Sequence, residues 1–183
     1  MQIKLIILDF DGTLATTEQA NMEAYILALQ EEGFSLSAEE FNSRFFGMRC
    51  PEFLEAVGVK DAEQRERIRR RKIEIYPSLF DSVKLNEPLW NFAQDSRKRG
   101  VKVWIVSTGQ IENLTNAMRH LGIEGMIDGL LSSNDVKEAK PSPEAFLKAM
   151  EIEGVTPAET LIFEDSVVGI EAAKASGAAY IKI

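Results

Sequence analysis

Residues 6–14 read Ile6-Ile7-Leu8-Asp9-Phe10-Asp11-Gly12-Thr13-Leu14, so two carboxylates stand two residues apart directly after an apolar run. Like charges that close repel, and the chain must supply something to compensate them. Three further stretches place polar groups at or beyond the ends of apolar runs: Ser107-Thr108-Gly109, Lys140-Pro141 and Glu164-Asp165-Ser166. In an open parallel sheet, ligands bind beyond the carboxyl ends of the strands. If these runs are strands, four acids, one lysine and a pair of hydroxyls converge on one rim. Asp9 and Asp165, with Glu164 nearby, are oxygen donors suited to a hard cation. Magnesium fits, because it takes a few carboxylates and completes its octahedron with water and phosphate. Such a cation, with Lys140, would offset the clustered negative charge and admit an anionic phosphate. Gly12 permits close backbone approach, so the amides of the turn through Thr13 can meet phosphate oxygens. Ser107, with the Thr108 and Gly109 amides, can do the same from the second strand.

The elements that must position these groups are legible as five short apolar runs, residues 3–8, 101–106, 126–131, 160–163 and 178–183. Their Ile, Val and Leu content on both faces is that of parallel strands covered on both sides. Helical patterns over 87–99, 111–121, 143–153 and 167–176 separate them, and each is closed by a glycine at 100, 122, 154 or 177. Ser142-Pro143 has the form of an N-cap followed by a first helical residue, and Thr156-Pro157-Ala158-Glu159 that of a capping box. Alternating strands and helices predict an α/β fold with a doubly wound parallel sheet. One segment, 16–81, breaks the alternation. It shows helices and no convincing strand, with starts at Glu18, Ser37, Pro51 and Asp61, so a helical insertion follows the first strand. Within it Arg65, Arg67, Arg69, Arg70, Arg71 and Lys72 are interleaved with Glu63, Glu66 and Glu74, the pattern of a solvated helix face.

The chain has 183 residues, 45% of them hydrophobic and 27% charged, which suits one compact domain or a core with a modest insertion. A net charge of -8 argues against nucleic-acid and anionic-membrane partners. Cys50 is the single cysteine, so no intrachain disulfide can form. The opening apolar run is too short for a signal peptide, and no stretch nears the roughly 18 apolar residues of a membrane span. A cytoplasmic location is expected. The lone His120 stands at a helix end, where no His-based triad can be assembled, and Trp90 and Trp104 fall in apolar patterns as packing residues.

The set DFDGTL, VSTG, KPSPEAF and FEDSVVGIEAAKASG resembles the haloacid dehalogenase superfamily over essentially the whole chain, in the phosphatase and phosphomutase branch. The resemblance implies a Rossmann-like three-layer α/β/α core, residues 1–15 and 82–183, with a helical cap domain over 16–81. It implies that Asp9 is a nucleophile attacking phosphorus, and that Asp11 protonates the leaving oxygen and then deprotonates water. Ser107 and Lys140 would bind the transferring phosphoryl group. Magnesium would be held by Asp9, the Asp11 backbone carbonyl and Asp165, with Glu164 as a ligand or acting through water. Arg49, after the loop Phe46-Gly47-Met48, stands where capped relatives place substrate-reading residues.

Asp11 discriminates within the superfamily. True dehalogenases lack an acid two residues after the nucleophile, since a halide leaves without a proton. The expectation is therefore a magnesium-dependent phosphatase acting on a small phosphorylated metabolite, as a monomer or weak homodimer. A phosphomutase of the β-phosphoglucomutase type is the alternative, and a non-catalytic binding protein on the same scaffold a weaker one. The mutase reading is lowered by Asn21, which stands where those enzymes carry a His, and by Gln110-Ile111, where they carry Lys-Asn. No clear Schiff-base lysine stands near Gly47-Met48-Arg49, which disfavours a phosphonatase. Relatives continue past the fifth strand, whereas this chain stops at Ile183, and an exposed edge along 178–183 is expected.

Overall fold

The computed structural model describes residues 2–45 and 48–183, which divide into two compact units, 1–16 with 84–183, and 17–83. The first unit holds a five-stranded parallel sheet in the order β5-β4-β1-β6-β7, built from β1 (Leu5–Leu8), β4 (Lys102–Val106), β5 (Gly129–Leu131), β6 (Thr160–Glu164) and β7 (Ala179–Lys182). Every residue of β1 is buried, as expected for a central strand covered on both faces. Leu5 and Ile7 join Trp104, Val106, Ile162 and Phe146 in a core on one face, under α7 (Glu144–Glu153) and α8 (Val167–Ser176). On the other face α5 (Glu87–Lys98) packs on β4, and its Phe92 meets Phe163 edge to face at 5.7 Å. The right-handed rule for parallel crossovers puts α6 (Ile111–His120), which links β4 to β5, on the side of α5. The result is the Rossmann-like α/β/α core expected from the sequence.

Register is what matters for function. Leu8 pairs with Ile105 on one side and with Phe163 on the other, so Asp9, Val106 and Glu164 are the next residues out on three adjacent strands. Several element ends differ from the sequence reading by a residue or two, and three differences have an identifiable physical basis. The strand expected from Met126 begins at Gly129, because Asp128 takes over the edge of β4: its amide donates to the Val103 carbonyl at 2.8 Å, and its carboxylate accepts from the Val103 amide at 2.9 Å. The helix expected from Pro143 begins at Glu144, with Pro143 at the cap position and the Glu144 amide donating to Ser142 Oγ at 3.3 Å. A two-residue antiparallel ladder, β2 (Ala15–Thr16) with β3 (Lys84–Leu85), has no counterpart in the sequence reading, since two residues carry no periodicity.

The regular structure among the described residues of the second unit is all helical, an insertion between β2 and β3, with α1 (Glu18–Glu31) packed on α4 (Ala62–Ile75) and shorter helices that include α2 (Ala38–Glu40) and α3 (Cys50–Val57). Tyr25, Phe41 and Phe45 surround Phe53 with ring centroids 4.7, 5.6 and 5.4 Å away, edge on. Ser37 and Asp61 accept from the Glu40 and Gln64 amides as N-caps. Four of the five arginines of α4 are held in ion pairs, Arg67 with Glu32, Arg69 and Arg70 with Glu66, and Arg71 with Glu31 and Glu74, while Arg65 donates to the Val59 carbonyl at 3.2 Å. Lys72 departs from the solvated face. It shares the buried stripe of Ile68 and Ile75, donates to Asn21 Oδ1 at 2.7 Å and lies 4.0 Å from the Tyr76 ring centroid. No helix among the described residues is long and apolar enough to cross a membrane.

Asp128 also accepts from Arg97 Nε at 2.9 Å. Burial works to raise its pKa, and the Arg97 and Val103 hydrogen bonds overcome that and hold it below the usual 3.8. A depressed folded-state pKa means that its contribution is complete above the unfolded value and is lost as the pH falls toward the folded one. Asp128→Asn is therefore expected to cost about 1 kcal/mol near pH 6, discounted for solvent exposure, and little at pH 2. Urea unfolding at both pH values checks this. Equal losses would contradict it.

Candidate active site

The chain leaves β1 through Asp9, whose amide donates to the Phe163 carbonyl at 3.0 Å, so the strand's hydrogen bonding extends one residue into the loop. Phe10 is fully buried and anchors the turn, and its carbonyl accepts from the Leu14 and Ala15 amides at 3.1 and 2.9 Å. Asp9 and Asp11 thus flank a buried residue along the chain. Asn86, a site neighbour that the sequence reading missed, closes the turn from the far end of β3. Its side chain donates to the Thr13 carbonyl at 3.1 Å and its amide to the Leu14 carbonyl at 2.8 Å.

Lys140 is the centre of the arrangement. Its side chain is 4% exposed, and Nζ reaches Asp9 Oδ1 at 2.6 Å, Glu164 Oε1 at 2.5 Å and the Val106 carbonyl at 3.3 Å. These are the three residues that strand register sets side by side. Burial works against the ammonium, but the Asp9 and Glu164 carboxylates overcome it and hold Lys140 above the ordinary lysine value. Burial pushes Asp9 the other way, up from the carboxylate range, with Lys140 opposing and Glu164 and Asp11 adding to the rise. One lysine thus serves more negative charge than it can balance.

Asp165, half-buried, is also raised, mainly by burial, against the Thr13 hydroxyl that donates to its Oδ1 at 2.8 Å. Oxygens of Asp9, Glu164 and Asp165 lie within 4.8 Å of one another. Three carboxylates with excess negative charge, one of them reaching solvent, form a donor set that fits a hard divalent cation.

The structure refines several site residues. Glu164 is 1% exposed and engaged at both oxygens, with Lys140 on Oε1 and the Ser166 amide and hydroxyl on Oε2, each at 2.9 Å. Ser166 in turn caps α8 by accepting from the Gly169 amide at 3.0 Å. Thr13 directs its side chain at Asp165, so only its backbone remains for a phosphate. The Gly109 amide donates to Ser107 Oγ at 2.9 Å, and Ser107 Oγ lies 3.1 Å from Asp11 Oδ2, so that amide is occupied within the loop. Thr108 stands between them, half-buried. Arg49 belongs to the helical unit, where its carbonyl accepts from the Phe53 amide at 2.9 Å at the start of α3. The loop residues Phe46 and Gly47 lie outside the described residues. Sequence reasoning named Ser166 only as a strand-end polar group and missed Gly169, although a serine directly before the apolar run of a helix is an N-cap signal.

Gly169 is where backbone must pass closest to the site, because a Cβ there would fall on the Glu164 carboxyl group. Gly169→Ala is expected to turn Glu164 away from Lys140. Overpacking of this kind costs about 1–3 kcal/mol, and phosphate release should fall about tenfold or more. Thermal melts and steady-state kinetics on the variant check both, and wild-type values for both would show that Glu164 does not depend on the gap.

A family of haloacid dehalogenase-like hydrolases matches residues 6–183. The protein YhcW of Bacillus subtilis is 30% identical over 180 residues, covering 96% of this chain and 80% of that protein. The fructose-1-phosphate phosphatase YqaB of Escherichia coli is 28% identical over 175 residues, covering 94% and 92%. Among solved structures, CbbY from Rhodobacter sphaeroides in complex with phosphate superposes with a TM-score of 0.90 at 23% identity, covering 99% of this chain and 86% of that one. At that identity the likeness is one of fold. The matched family and the strand-end acids and lysine agree: this chain belongs to the haloacid dehalogenase-like hydrolases, in their phosphatase branch.

Proposed function

We propose that the protein hydrolyses the phosphate monoester of a small metabolite by passing the phosphoryl group through Asp9. The observation that carries this reading is the Lys140 ammonium bonded to Asp9 at 2.6 Å, with a second acid, Asp11, two residues along the same turn. Lys140 favours the ionised form of Asp9, which leaves an oxygen able to attack phosphorus. Asp11 gives a proton to the departing ester oxygen, then takes one from the water that cleaves the aspartyl-phosphate. The Gly12 amide donates to the Ala15 carbonyl at 2.9 Å, so the Thr13 amide and the Lys140 ammonium stabilise the phosphoryl oxygens as charge spreads over them. Asp9, Asp165 and the Asp11 carbonyl would hold magnesium, with Glu164 adjacent, and the ion would supply the neutralising charge that one lysine lacks.

The substrate class follows from relatives that act on carbohydrate phosphates. A phosphorylated carbohydrates phosphatase of Thermotoga maritima is 27% identical over 181 residues, and YqaB is named for fructose 1-phosphate. We assign this chain to small sugar phosphates, with residues 17–83 acting as a cap and Arg49 as a substrate contact.

A panel of sugar phosphates tests the reading. Wild type with magnesium should release inorganic phosphate and stop when the ion is chelated. Asp9→Asn should lose at least about a thousandfold in kcat. Near-normal turnover by Asp9→Asn would remove the nucleophile from the scheme, and isomerised sugar phosphate without free phosphate would replace hydrolysis by mutase chemistry.

A further inference from the structure

Lys140 is carried by residues 132–143, a segment between β5 and α7 with neither helix nor strand. A segment of that kind keeps its conformational freedom unless contacts outside it take that freedom away. Yet this one delivers an ammonium into a place where the lysine side chain is 4% exposed. At the β5 end, the Ser132 amide and hydroxyl donate to Asp135 Oδ2 at 2.8 and 2.6 Å, and the Ser133 amide donates to the Gly109 carbonyl at 3.0 Å. Val136 packs against the core. The remaining holds come from α7. Glu144, in its first turn, accepts from the Lys137 amide on Oε1 at 3.0 Å and from the Glu138 amide on Oε2 at 2.8 Å. Lys148, one turn further along the same face, donates to the Asp135 carbonyl at 2.6 Å. Phe146, fully buried, sets its ring centroid 5.2 Å from Lys140 Nζ.

We propose that Glu144 is a positioning residue for Lys140, a clamp that closes residues 137–144 into a loop and fixes where the ammonium emerges from it. The consequence for turnover rests on the phosphatase reading and deepens it. Lys140 lies between the two ends that Glu144 joins, two positions after Glu138 and four before Glu144. The Ser142 amide donates to the Ala139 carbonyl at 2.9 Å, which turns the chain around the lysine inside that loop. The clamp asks for a carboxylate. Two backbone amides can only donate, and a carboxylate accepts on both oxygens, whereas a carboxamide of the same length would set its own N–H groups against one of them. The Lys137 and Glu138 amides also hold the Glu144 carboxyl below its usual 4.5, so the accepting form is the one present near neutral pH. Glu144 acts on the reaction only through Lys140. Loosening it lets the arm swing, and the ammonium then meets Asp9 and the phosphoryl oxygens less often in the productive geometry.

Trace acetylation with acetic anhydride, read by peptide mass spectrometry, tests the clamp without relying on activity. Lys72, buried in the helical unit, is the reference for general loosening of the protein. In Glu144→Gln the labelling of Lys140 relative to Lys72 should rise about tenfold over wild type. The kcat for sugar phosphates with magnesium should fall about tenfold. Lys148→Met keeps the side-chain stem but drops the ammonium, and so loosens the same arm from further out. It should raise the labelling ratio about threefold, and it decides the matter if Glu144→Gln does not fold. An unchanged ratio in the folded variant, or Lys140 and Lys72 opening together, overturns the clamp and leaves the phosphatase reading standing. A raised ratio with undiminished phosphate release upholds the clamp and overturns the part given to Lys140 in that reading. A wild-type protein that releases no phosphate from the panel overturns the reading itself, while the labelling ratio still judges the clamp.

Discussion

A lysine ammonium buried between two carboxylates is the constraint from which the rest of the site follows. Taking ions out of water costs several kcal/mol each even after relaxation, and the mutual attraction recovers this only when geometry is good and the remaining polar atoms are bonded. The fold meets that condition through register. Three adjacent parallel strands end level with one another, so Asp9, Glu164 and the Val106 carbonyl stand together, and the segment 132–143 between β5 and α7 brings Lys140 among them. Glu164 is fixed from its other side by Ser166, which itself caps α8, so a helix terminus and a buried ion pair stabilise each other. A cluster this costly is a poor device for stability alone. It makes sense as the prepared site proposed above, where a cation would supply the further positive charge.

The same economy of contacts links the remaining acids. Thr13 ties the β1 turn to Asp165 at 2.8 Å, and Ser107 ties the loop after β4 to Asp11 at 3.1 Å. Each aspartate is held by a hydroxyl from a different strand end. Asp9 is held by the Lys140 ammonium and Asp11 by the Ser107 hydroxyl. That difference separates two residues that are alike in type and only two positions apart, and it accords with the different roles proposed for them.

Residue types and strand ends made the site legible in the sequence, because an apolar run that stops at a carboxylate marks a strand's carboxyl end. The parallel sheet and the helical insertion were visible for the same reason, through periodicity. What pairs with what was not visible. The bonds from Ser107 to Asp11 and from Thr13 to Asp165 join residues 96 and 152 positions apart, and no local pattern encodes them. Lys72 shows the limit most clearly. Its neighbours in sequence are solvated arginines, yet its place in the Ile68–Ile75 stripe buries it against Tyr76 and Asn21. The ladder of Ala15–Thr16 with Lys84–Leu85 is too short to leave a signature, and Asp128 displaced the expected start of β5 by a side-chain bond that apolar counting overlooks.

The central claim is that phosphorus is bonded to Asp9 during turnover, and mass spectrometry of the acid-quenched enzyme tests it most directly. With a hydrolysed sugar phosphate and magnesium present, the peptide containing Asp9 is expected to carry a phosphoryl adduct that appears and decays with substrate. Steady release of phosphate with no adduct on that peptide at any time, or an adduct on another residue, would contradict the account.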